Sequence, residues 1–208
     1  MKKYSRRTVL VANILGLLSL FYSGCASGVT RAPNEPAASF KLSEGKKIAE
    51  VKVALTPEMK EKLKDSLKFD EEALRRHIEM ALSGYSVYDA SKKGEMPTLD
   101  ILVTNVRVRS TFNAVMWGFM AGSDQIEGTV VIKDPTGNKL DSFTVSTSYA
   151  LGGWGGGQDS MRMDWLYEAF SKETVKELTG KDAAEPGKQA AVVAPTPAEP
   201  AKETAGTK

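Results

Sequence analysis

The stretch IEGTVVIKDPTGNKLDSFTVSTSY, residues 126–149, holds two alternating runs joined by a turn. In the second run Phe143, Val145 and Tyr149 alternate with Ser142, Thr144, Ser146 and Ser148, a period of two that puts apolar side chains on one face and hydroxyls on the other. The first run, Ile126 to Lys133, places Ile126, Val130 and Ile132 on a single face. Between them Asp134-Pro135-Thr136-Gly137-Asn138 is a turn, with proline fixing one φ angle and glycine accepting a positive one. One-sided alternation of this kind marks an antiparallel sheet with one face buried and the other wet.

Working outward, Leu99 to Arg109 reads as a further strand, with Val106 and Val108 set against Arg107 and Arg109. Upstream, Ile48 to Leu55 is a strand and Tyr85 to Asp89 a short one. Thr56-Pro57 opens a helix with a thin stripe of Met59, Leu63 and Leu67, proline standing in the first turn where its missing donor costs nothing. A second helix begins at Asp70, whose carboxylate can cap it while Phe69 packs on Leu74 as a hydrophobic staple. Leu74, Ile78, Ala81 and Leu82 form its core face, and Gly84 ends it. A closing helix capped by Asp159 or Ser160 carries Met163, Leu166, Tyr167, Phe170, Val175 and Leu178. The helices must cover the one apolar sheet face. The expected fold is therefore an α+β two-layer sandwich, a mainly antiparallel sheet of four to five strands with amphipathic helices on one face.

The ends of the chain differ from its middle. Residues 1–24 run from a basic start (Lys2, Lys3, Arg6, Arg7) through an apolar core, Val9 to Phe21, to Tyr22-Ser23-Gly24-Cys25. This is the layout of a cleavable export signal, too short for a stable transmembrane helix. Its last four residues resemble the lipobox of bacterial lipoproteins, with Tyr22 where Leu, Val or Ile is usual. The resemblance implies that Cys25 is acylated and becomes the first residue of the mature chain. Cys25 is the only cysteine, so no intramolecular disulfide can form, and several acyl chains on it would anchor the protein durably. Ala26 after the cysteine, by resemblance to enterobacterial sorting rules, points to the outer membrane. Ser5-Arg6-Arg7-Thr8-Val9-Leu10 also resembles a twin-arginine motif, although the strongly apolar core suits the general secretory route better. Residues 25–44 read as a flexible tether, 45–180 as one α+β domain, and 181–208 as a disordered Ala/Pro-rich tail with four lysines against four acidic residues.

The charge pattern narrows function. The whole chain carries 28 basic and 26 acidic residues; four basic and no acidic residues precede Cys25, which leaves 24 against 26 afterwards. A mature chain without a basic excess is not expected to bind nucleic acid. With one histidine and one cysteine, the sequence offers no metal site and no cofactor motif. His77 lies at the edge of an apolar helical face, where an ordinary boundary histidine belongs. Glu71, Glu72, Arg75 and Arg76 are a solvated face with three- and four-residue pairing. Gly152 to Gly157 precedes a helix but is followed by Gln158 and Asp159, not by the Lys and Ser/Thr of a phosphate loop. No nucleophile motif appears, and the expectation is a protein that is not an enzyme.

The unusual segment is Phe112 to Gly122, FNAVMWGFMAG, which has no charge. Exposed, it would be a contact surface for a partner or membrane, with Phe112, Met116, Trp117, Phe119 and Met120 joined by Trp154 of the glycine run. Alternatively Gly118 and Gly122 let it fold back into the core. Trp117-Gly118-Phe119-Met120-Ala121-Gly122, a strand, Asp134-Pro135-Thr136-Gly137, another strand, a glycine run and a closing helix resemble the bacterial lipoprotein family known as domain of unknown function 4410. The likeness covers most of residues 47–178 and implies a lipid-anchored envelope protein with a small α/β domain and no known activity. The sequence thus suggests a periplasm-facing interaction or assembly module, anchored through Cys25 and in contact with envelope proteins. A small-ligand or lipid carrier is the alternative.

Overall fold

The computed structural model describes residues 25–33, 40–42, 45–64, 69–110, 122–150 and 159–181. Five strands, β1 (Cys25–Thr30), β2 (Glu50–Leu55), β3 (Thr98–Arg107), β4 (Asp124–Lys133) and β5 (Lys139–Tyr149), form one sheet in the order β1-β5-β4-β3-β2. The β1–β5, β5–β4 and β4–β3 pairs are antiparallel; β2 alone runs parallel to its neighbour β3. That parallel pair needs a crossover connection. It is supplied by α1 (Pro57–Leu63), α2 (Glu71–Gly84) and a short 3-10 turn, Ala90–Lys92. The last helix, α3 (Asp159–Thr179), crosses β1, β5 and β4, while α2 lies against β2 and α3. This is the expected mixed α+β architecture with its mostly antiparallel sheet.

Local chemistry sets these elements where the sequence placed them. In the β4–β5 turn Gly137 takes φ +92°, and Asp134 Oδ1 accepts from Thr136 N, the Thr136 hydroxyl and Asn138 N at 2.9, 2.7 and 2.9 Å. The Thr136 hydroxyl foremost among these donors holds the Asp134 carboxyl below its ordinary pKa. Asp70 caps α2, accepting from Glu72 N and Ala73 N, a cap worth about 1 kcal/mol. Phe69 stands edge-on to Tyr167, with ring centroids 5.8 Å apart, and so ties the start of α2 to α3. Thr56 caps α1 by accepting from Met59 N at 3.2 Å. The core is continuous: Leu74, Ile78 and Leu82 of α2 and Met163, Leu166, Tyr167, Phe170, Val175 and Leu178 of α3 pack on Leu99, Ile101, Ile126, Val130, Phe143 and Val145. Gly128 lets Phe170 descend onto the sheet; a Cβ there would lie 3.3 Å from both Phe170 Cζ and the Leu102 carbonyl oxygen.

Three expectations are corrected. Cys25–Thr30, read as the start of a tether, is an edge strand paired residue for residue with Thr144–Tyr149. Its end is fixed by Arg31, which reaches Asp141 at 2.6 Å and Glu177 at 2.8 Å, with its guanidinium 5.4 Å from the Phe143 ring centre. Tyr85 to Asp89 makes only one parallel bridge, Ile48 to Tyr88, because Ser86 takes φ +58° and the chain turns there. Arg109, expected on the wet face, is 5% exposed: β3 stops at Arg107, and the alternation lapses with it. Residues 1–24, Phe112, Met116, Trp117, Phe119, Met120, Trp154 and the tail from 182 lie outside the described residues.

Candidate functional site

One end of the sheet collects the features that the sequence singled out. There β3 runs out at Arg107, β4 begins at Asp124, β5 ends at Tyr149, α3 begins at Asp159 and β1 begins at Cys25. The register is direct: Tyr149 faces Asp124 on one side and Cys25 on the other. The roots of the uncharged segment 110–123 and of the glycine segment 150–158 are therefore neighbours, and the first residue of β1 stands in line with them.

A buried ion cluster binds these roots together. Asp124 Oδ1 accepts from Arg109 N at 2.7 Å and from Arg109 Nε at 3.4 Å. Its Oδ2 accepts from Arg109 Nη2 at 3.1 Å and from Arg162 Nη1, on the second turn of α3, at 2.7 Å. Asp124 is fully buried, and the side chains of Arg109 and Arg162 are 3% and 1% exposed. Main-chain oxygens share the two guanidiniums with this carboxylate. Arg109 donates to Gly122 O at 2.8 Å, Tyr149 O at 3.2 Å and Ala150 O at 3.4 Å, and Arg162 donates to Arg109 O at 3.4 Å. Arg109 thus stitches the last residue of one segment to the first of the other, a use of the planar multi-donor head that lysine could not match. Gly122 sits at this seam at φ +84°, a left-handed conformation that side chains rarely adopt.

Chemically the cluster is a clamp. Its carboxylate is filled by donors and shut off from solvent, so it offers neither a base nor a nucleophile to an incoming molecule. His77, half-buried between α2 and α3, stands 3.9 Å from Asp164 and lies against the Tyr167 ring, a boundary position. Arg75 pairs with Glu72 and Glu79 along the outer face of α2. Among the described residues no three His, Cys, Asp or Glu side chains gather as a metal site, and no helix is long and apolar enough to cross a membrane. A shallow groove of about 240 Å³ lies between β1 and α3, lined by Ser27, Trp165, Glu168, Ala169, Lys172 and Glu173. Ser27 bonds Glu173 and Lys172 pairs with Glu168 along it, so its polar groups are already engaged.

Of the sequence-chosen residues, Cys25 is placed at this end of the sheet by its backbone, and the six apolar candidates lie outside the described residues. The clamp itself was missed. Arg162 carried a sign: it shares a helical stripe with Leu166 and Phe170, at four-residue spacing, where a charge is out of place. Arg109 and Asp124 carried another, since they are the charges that bracket the uncharged segment.

Residues 34–153 match the family described as domain of unknown function DUF4410. The chain belongs to this family. The DUF4410 match takes in four of the five strands, the hairpin, α1 and α2, together with Arg109 and Asp124. No curated protein matches the chain. Among solved structures it is similar to a PelC dodecamer from Paraburkholderia phytofirmans that carries a leucine-to-methionine substitution, with 13% identity, a TM-score of 0.43, and coverage of 74% of this chain and 98% of that one. It is also similar to a second PelC dodecamer from the same organism, with 14% identity, a TM-score of 0.40 and the same coverage.

Proposed function

We propose that this DUF4410 protein is a non-catalytic module of the cell envelope. It is acylated at Cys25, held at the outer membrane facing the periplasm, and works by contact. The uncharged segment 112–122 and the glycine segment 152–157 supply the contact surface, with Phe112, Met116, Trp117, Phe119, Met120 and Trp154 as its apolar side chains. The observation that carries this reading is the Arg109–Asp124–Arg162 clamp. It spends three buried charges on holding the roots of two uncharged segments together and leaves no reactive group open. Buried charges are costly, and a cluster of this kind is expected where a defined geometry matters.

The test combines location and contact. Cells fed an alkyne fatty acid should label the wild-type protein and leave Cys25→Ser unlabelled, with the label in the outer-membrane fraction. Trp117→Ser with Phe119→Ser should keep the wild-type urea midpoint yet lose in vivo crosslinks to envelope components. Unfolding of that variant, or crosslinks unchanged from wild type, would refute the contact role.

A further inference from the structure

We infer that two copies of this chain pair through β1, edge against edge, in an antiparallel joint that lays α3 of one copy beside α3 of the other. The pairing uses residues 26–30 and not Cys25, so it goes beyond the contact surface proposed above and does not rest on acylation.

The first argument is the contrast between the two edges of the sheet. An edge strand presents unpaired N–H and C=O groups, and folds guard it with charge, proline, a bulge or a cover. β2 is guarded. Lys52 and Lys93 both reach Glu50, at 3.3 and 2.6 Å, Glu71 of α2 accepts from Leu55 N at 3.2 Å, and Ile48 just ahead of the strand is bridged to Tyr88. β1 has no such device among the described residues. Cys-Ala-Ser-Gly-Val-Thr carries neither charge nor proline, pairs with β5 without a register shift, and leaves Ala26, Ser27 and Thr30 exposed. The adjoining charge, Arg31, is turned back onto Asp141 and Glu177 and does not guard the edge.

The second argument names the occupant as a second copy. Trp165, Glu168, Ala169 and Lys172, at three- and four-residue spacing, form a stripe of α3 that overlooks β1 across the shallow groove. Glu168 and Lys172 lie 2.7 Å apart along it, 46% and 40% exposed, with the small Ala169 between them. α3 runs the same way as β1, since Ser27 bonds Glu173 and, four residues on, Arg31 bonds Glu177. A two-fold axis through the middle of β1 therefore sets the two α3 helices antiparallel. With that axis level with Ala169 and Phe170, Glu168 of each copy stands opposite Lys172 of the other. The stripe is thus complementary in charge to itself, as an isologous joint requires, and the two five-stranded sheets become one.

The experiment uses the full chain in detergent micelles matched in density to the buffer. Sedimentation equilibrium should show a reversible dimer. Hydrogen exchange of the 26–30 amides should slow about tenfold from the dilute to the concentrated sample, while that of β2 stays constant. Glu168→Lys or Lys172→Glu alone sets like charges opposite each other twice and should weaken the dimer about tenfold. The two together swap the charges, and the dimer Kd should return to within about twofold of wild type. A monomer with open 26–30 amides leaves the edge to another protein and overturns the inference. A monomer whose 26–30 amides are already protected covers its own edge and overturns it equally. A dimer that leaves those amides unprotected, or that ignores the single charge reversals, joins through another surface and also overturns it.

Discussion

Replacing Asp124 with alanine removes the carboxylate that both Arg109 and Arg162 reach. Four donor contacts disappear, at 2.7, 3.4, 3.1 and 2.7 Å, and the cations left behind have side chains only 3% and 1% exposed. Water cannot replace the lost oxygens without opening the end of the sheet. Breaking a buried pair in this way costs about 3–5 kcal/mol, against about 0–1 kcal/mol for a surface pair such as Arg76–Glu72. With a urea slope of about 2 kcal/mol per molar, the midpoint should drop by roughly 2 M. Replacing all three residues at once, Asp124→Leu with Arg109→Met and Arg162→Met, should recover part of that loss. It should not recover all of it, because the carbonyls of Gly122, Tyr149 and Ala150 lose their donor. Circular dichroism through a urea series measures the midpoint, and hydrogen exchange should show the amides of Arg109 and Asp124 opening before those of β3. A shift of less than about 0.5 M for Asp124→Ala would refute the clamp, since it would mean that the two arginines are served without that carboxylate.

Two further outcomes follow from Arg31 and from the buried tyrosines. Arg31→Ala unpairs Asp141, whose side chain is 5% exposed, and should cost about 1–3 kcal/mol while raising hydrogen exchange in residues 26–30 far more than in β4; unchanged exchange would mean that β1 is held without it. Burial pushes the Tyr167 hydroxyl up to about 12 from an ordinary 10.0, and burial with the Glu79 contact does the same for Tyr88. Between pH 10 and about 12 the unfolded chain therefore releases protons that the native fold retains, so stability is full below pH 10 and falls as pH rises through that window. Tyr167 accounts for a loss on the order of 2–3 kcal/mol, and Tyr167→Phe should flatten that part of the profile in denaturant titrations.

What the sequence disclosed was decided by neighbours along the chain. The Asp134–Asn138 turn, the Asp70 cap and the apolar stripe of α3 each depend on residues within one or two turns, and each stands where its pattern put it. β1 was illegible for the opposite reason. Cys-Ala-Ser-Gly-Val-Thr has no apolar alternation and little strand preference of its own; it becomes a strand because β5 offers an open edge and Arg31 locks the far end. The parallel pairing of β2 with β3 is equally a tertiary fact, imposed by the helical crossover. The clamp joins positions 109, 124 and 162 from three elements, and no local pattern connects them. Only the misplaced charge of Arg162 on a core-facing stripe hinted that a buried partner had to exist.

The pairing of β1 with β5 also sets a timetable. Each residue of β1 meets a partner more than a hundred positions further along, so the strand has nothing to dock against until almost the whole sheet has been made. A polypeptide emerges from its N-terminus, and this one must therefore carry its first strand as an open peptide through most of its biogenesis. During that interval the matching edge of β5 stays unpaired. Docking then closes that edge, so a strand made before the other four is paired only once β5 exists.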